Sequence, residues 1–145
     1  MLTRLRARRP DRGSVLMLMP ACLLIVLVLA SIAVDMSLVH LRHQQALDVA
    51  ASAANDAATA GADPMSLRSG LYRVDPTSAR RVVSRAVAAS DVAAHLVGPP
   101  RVRVDGDTVE VSLTVNAKYV FTGVLPGAPR VATVTAVASA TAMEP

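Results

Sequence analysis

Residues 14–34, SVLMLMPACLLIVLVLASIAV, form a run of 21 residues without a charge, and no other feature constrains the fold as much. At about 1.5 Å per residue a helix of this length covers roughly 30 Å, the thickness of a bilayer hydrocarbon core. Two readings compete. A secretory signal has a shorter apolar core, of about 7 to 15 residues, and ends at a small-x-small site, which Ser31 to Ala33 would supply. A permanent membrane helix accounts better for the length. Pro20 kinks such a helix or moves its start towards residue 20, in which case the helix must continue past Val34 to span.

Charge is distributed as a membrane segment requires. Within residues 1–13, Arg4, Arg6, Arg8, Arg9 and Arg12 stand against Asp11 and carry the whole net charge of +4; the remainder of the chain is balanced. Arginines retained on the cytoplasmic side orient a span, so the N-terminus is expected inside and the C-terminal part outside. Nucleic-acid binding needs basic side chains on a folded surface, whereas here the basic excess sits directly before the apolar run, and aromatics that could accompany such a patch are only 2 % of the chain. Cys22 lies alone inside the apolar run, so no intrachain disulfide forms. The stretch MPAC is followed by further apolar residues, unlike a lipoprotein cleavage site.

From Asp35 to Ala60 there is no Gly or Pro, Ala, Leu and Gln are frequent, and Gly61 with Pro64 supplies a stop. One helix from near Ser14 to near Ala60 is therefore expected. Ala46, Ala50, Ala53, Ala54, Ala57 and Ala58 recur at helical spacing and make a shallow stripe. The stripe suits either a neighbouring subunit's helix or the chain's own downstream domain. Asp35, at its head, marks the exit from lipid or pairs with a basic residue of a neighbouring subunit.

After a loop reading over residues 62–76, whose last two residues, Asp75 and Pro76, form a helix-start signal, Val82, Val83, Ala86, Val87, Val92 and Leu96 form a helical stripe ended by GPP. From Arg101 the period becomes two. RVRVDGDTVEVSLTV reads as a hairpin turning at Asp105-Gly106, KYVFTGVLPG as strand or loop, and RVATVTAVASATAM as a further strand. The expected class is α+β: a long N-terminal transmembrane helix, a second helix and a small antiparallel sheet of three to four strands.

The basic leader ending at Arg12-Gly13, the apolar run with Pro20, the AVD exit at Ala33 to Asp35, then Arg42, Gln45, Asp48 and the alanine-rich tail resemble the N-terminal segment of TadE/TadG-like proteins of tight-adherence (Flp-type) pilus systems. The resemblance covers about a third of the chain. It implies a pilin-like fold and a minor pseudopilin or assembly component whose partners are the lipid bilayer, other pilus or pseudopilin subunits and inner-membrane assembly proteins. It also implies a processing site between Gly13 and Ser14. Prepilin-peptidase substrates usually carry glutamate five residues after the cut, and that position is Leu18; TadG-like members often lack the glutamate but tend to be longer than this chain. The resulting division is a cytoplasmic leader at 1–13, a span at 14–34, its extracytoplasmic continuation at 35–61 and a small α+β domain at 62–145.

Little in the sequence suggests chemistry. His40 and His43 stand at metal-pair spacing without further ligands beside them. G-x-S-x-G, a phosphate-cradling glycine loop and a paired-carboxylate motif are all missing. The expectation is a non-enzymatic protein without cofactor, metal or small-molecule substrate. The alternative is a secreted soluble binding domain released from a signal peptide.

Overall fold

The computed structural model describes residues 12–61, 73–124 and 127–142. Most of the basic leader and of the loop expected before Asp75 lies outside the described residues. The rest is α+β. Helix α1 (Arg12–Ala60) is followed by helix α2 (Pro76–Ala88), a 3-10 turn (Asp91–His95), strands β1 (Arg101–Asp105) and β2 (Thr108–Lys118), a second 3-10 turn (Thr122–Val124) and strand β3 (Val131–Thr141).

At about 1.5 Å per residue the 49 residues of α1 extend roughly 75 Å, and the helix runs on through Pro20. Inside the apolar run, the Ser31 hydroxyl donates to the Leu27 carbonyl at 2.8 Å, so this polar group needs no water. The helix stops where its last turn meets the domain. The Gly61 N–H still reaches the Ala57 carbonyl at 2.9 Å, but a Cβ at Gly61 would stand 2.3 Å from that oxygen and 3.0 Å from Val74. Only glycine permits the approach.

Asp75 caps α2, its carboxylate accepting from the Ser78 N–H at 2.8 Å. The helix is shorter than the run to Leu96 that its apolar spacing suggested. Ser90 turns the chain, its N–H and hydroxyl both donating to the Val87 carbonyl, and the 3-10 turn that follows carries Val92 into the core. Leu96 then bridges to Val115 of β2.

The sheet is antiparallel in the order β1-β2-β3. The hairpin turn lies one residue beyond the expected position: Asp105 pairs with Thr108, so Gly106 and Asp107 are the central residues. Gly106 takes φ +65° and no non-glycine residue among those described has positive φ, which is the glycine-first arrangement of a two-residue hairpin. β2 and β3 stay in register from Thr108↔Thr141 to Lys118↔Val131. Among the described residues, KYVFTGVLPG adds no fourth strand after Lys118 ends β2, and the amides of Val120, Phe121 and Thr122 are engaged by a side chain of α1.

Both helices cover one face of the sheet. Ala50, Ala53, Ala54, Ala57 and Ala58 of α1 meet Ala79, Val83 and Val87 of α2 and Val109, Val111 and Leu113 of β2. Ala46 continues the core with Val92, Val115 and Ala136. No aromatic side chain is buried among the described residues, and Leu113 is the largest fully buried one. Such a core gains stability from close approach more than from large side chains. The other sheet face is polar, with cross-strand hydroxyl contacts from Thr108 to Thr141 and from Thr114 to Thr135.

Candidate functional site

The fold gives α1 two unlike halves, and the site with the most developed geometry lies where they meet. From Leu18 to Val34 the large apolar side chains project outward: Leu23, Leu24, Ile25, Val26, Leu27, Val28 and Leu29 are all more than half exposed. Among the described residues this is the one helix long and apolar enough to cross a membrane. Its arrangement fits a surface covered by lipid rather than by the chain itself.

Asp35 follows directly. It is 1 % exposed and is the only buried polar or charged residue among those described. Its Oδ1 accepts from the amides of Val120 at 2.8 Å and Phe121 at 3.1 Å. Its Oδ2 accepts from the Thr122 amide at 2.6 Å and the Thr122 hydroxyl at 2.5 Å. Three successive backbone N–H groups thus form an anion nest around one carboxylate. Burial alone would raise the pKa of Asp35, but the Thr122 hydroxyl and amide, with the Phe121 and Val120 amides, outweigh it and hold the carboxyl at about 2. The ionised carboxylate therefore clamps the β2–β3 connection against the helix across 85 to 87 residues of chain. Within the described chain its partners come from its own loop, in place of the neighbouring subunit's basic residue considered from sequence.

The alanine stripe is likewise accounted for within the chain. Ala46, Ala50, Ala53, Ala54 and Ala57 are completely buried, so of the two uses open to the stripe, packing on the downstream domain is the one observed. The Gly13–Ser14 bond lies in the first turn of α1. Arg42 donates to Gln45 Oε1 at 3.0 Å, and exposed His40 lies 3.4 Å from the Gln44 amide nitrogen. No group of three or more His, Cys, Asp or Glu suited to a metal occurs among the described residues. A groove between α1 and the end of β2 is lined by Leu38, Leu41, Arg42, His95, Lys118 and Val120. The sequence singled out Asp35 but not Val120, Phe121 and Thr122, which lie too far along the chain for any local pattern to connect them. No protein-family model, curated protein or solved structure matches this chain.

Proposed function

We propose that the protein is a non-enzymatic, single-pass membrane-anchored subunit, a minor pilin or assembly component of a tight-adherence pilus, with its N-terminus cytoplasmic and its α+β domain outside. One observation supports this most: a single helix whose large apolar half is left bare while its alanine half forms the spine of a small domain. That architecture anchors a compact head to a bilayer and leaves the bare half to pack against lipid and against other apolar helices. The bare half is where helix packing between subunits would take place, because the alanine stripe is already occupied.

The test is the intact mass and N-terminal sequence of the untagged protein from its native membranes, after carbonate extraction. A membrane-retained form beginning at Met1 fits an unprocessed TadG-like anchor, and one beginning at Ser14 fits a pseudopilin cleaved despite Leu18. A soluble form beginning near Val34 overturns the membrane reading in favour of a secreted binding domain. Co-purification with pilus subunits after crosslinking through Cys22, which is exposed within the bare half, tests the pilus assignment itself.

A further inference from the structure

We infer that the β2–β3 connection is a second membrane contact: Val120 and Phe121 enter the interfacial layer of the bilayer that α1 crosses, flanked by Lys118 and Arg130. The inference rests on the membrane-anchored reading. It begins with direction. β2 starts beside the far end of α1, where the Gly106 carbonyl accepts from Val74 and the Gly61 carbonyl accepts from Asp75. It ends beside Asp35, at the edge of the apolar run. The turn after β2 therefore faces the membrane side, and the Asp105–Asp107 hairpin lies at the opposite end.

Height is set by the carboxylate clamp. Hydrogen bonds from Val120, Phe121 and Thr122 to Asp35 place their backbone level with the first residue after the span. Beyond the hydrocarbon, the headgroup layer is roughly 5 to 8 Å deep on each side, so this turn lies within it.

Composition suits that layer. Val120 is 54 % exposed and Phe121, the only phenylalanine in the chain, is 48 % exposed. Tyr119 precedes them, so two of the three aromatic residues of the protein fall at the exit, where aromatic side chains are favoured. The described part of the connection, 119–124 and 127–130, contains no acidic residue, whereas the opposite hairpin reads DGD. Lys118 and Arg130 are both exposed, and the backbone at the two ends of the connection is joined by the Tyr119 N–H to the Arg130 carbonyl at 3.0 Å. Two cations beside an apolar tip match a lipid surface carrying phosphates. The clamp and the lipid contact together would hold the domain against the bilayer instead of leaving it free to swing.

The chain has no tryptophan, which makes the test direct. The full chain carrying Phe121→Trp, Leu29→Trp or Val137→Trp is reconstituted into phosphatidylethanolamine–phosphatidylglycerol vesicles with brominated acyl chains. Val137 lies on the exposed sheet face, roughly 20 Å along β3 from Val131. The expected result is strong quenching at 29, intermediate quenching at 121, several-fold above that at 137, and a blue-shifted emission at 121. Quenching at 29 with 121 no greater than 137 overturns the inference and leaves the anchor intact. No quenching at 29 overturns the anchor and the inference with it. A blue shift at 121 that resists bromolipid and grows with protein-to-lipid ratio assigns the turn to contact between copies and overturns lipid as its occupant.

Discussion

The two halves of α1 are equally helical and both largely apolar, yet one is bare all round and the other buries one face. Residues 18–34 carry Leu, Ile, Val and Met, and residues 46–58 carry alanine at every fully buried position. The difference shows that side-chain size, more than hydrophobicity, decides which surface a helix meets. Leucines hold a partner away and present a broad apolar cylinder suited to lipid, whereas alanines let a sheet and a second helix close onto the backbone. Asp35 separates the two regimes, and its carboxylate can be dry at that position because a nest of amides meets it.

The comparison breaks most easily at the facing core. Leu113→Ala should lower domain stability by about 2–5 kcal/mol, while Leu27→Ala in the bare half should change it by less than about 0.5 kcal/mol; urea unfolding of the full chain in micelles distinguishes them. The same substitution placed in each half sharpens the point. Ala53→Leu should cost about 1–3 kcal/mol by overpacking, whereas exposed Ala30→Leu should be nearly neutral. Equal effects at the two sites would mean that the halves are not differently packed.

At the boundary the expected effect depends on pH. The folded-state pKa of Asp35 is below its ordinary 3.8, at about 2. Its contribution to stability is therefore complete above the ordinary value and is lost as pH falls through the window from 3.8 to about 2. Asp35→Asn should lower Tm at neutral pH, by on the order of 10 °C, and flatten the acid limb in that window. Asp75, also lowered through its bonds to Ser78, should preserve part of the limb. The smallest expected effect is that of Thr122→Val, which removes the 2.5 Å hydroxyl contact and keeps the amides. The carboxyl should rise from about 2 towards its ordinary value, making the acid limb shallower and lowering Tm at neutral pH, though by less than Asp35→Asn does. An unchanged limb in both variants would separate Asp35 from acid stability.

Much of the architecture was legible because it is written in local periods. The absence of Gly and Pro over residues 35–60 gave the helix its length, and Asp75-Pro76 gave the second helix its start. Alternation over β2 and β3 fixed the strands, since residues two apart share a sheet face. What went astray had a local competitor: Ser90 ended a helix whose apolar spacing ran on, and the turn took Gly106-Asp107 because a lone positive-φ residue sits first in that turn.

By itself, the sequence determined one bilayer-length apolar segment, a continuous helix beyond it and a sheet with one apolar face, since chain length, backbone propensity and side-chain alternation are properties of neighbouring residues. Only the tertiary structure decided that the alanine stripe packs on the chain's own sheet and that Asp35 closes on a loop 85 to 87 residues away. A stripe of small side chains accepts any closely fitting partner, and a buried carboxylate accepts any converging donors. The partner is selected by the register and direction of β2, which deliver those amides to the helix where it leaves the apolar run.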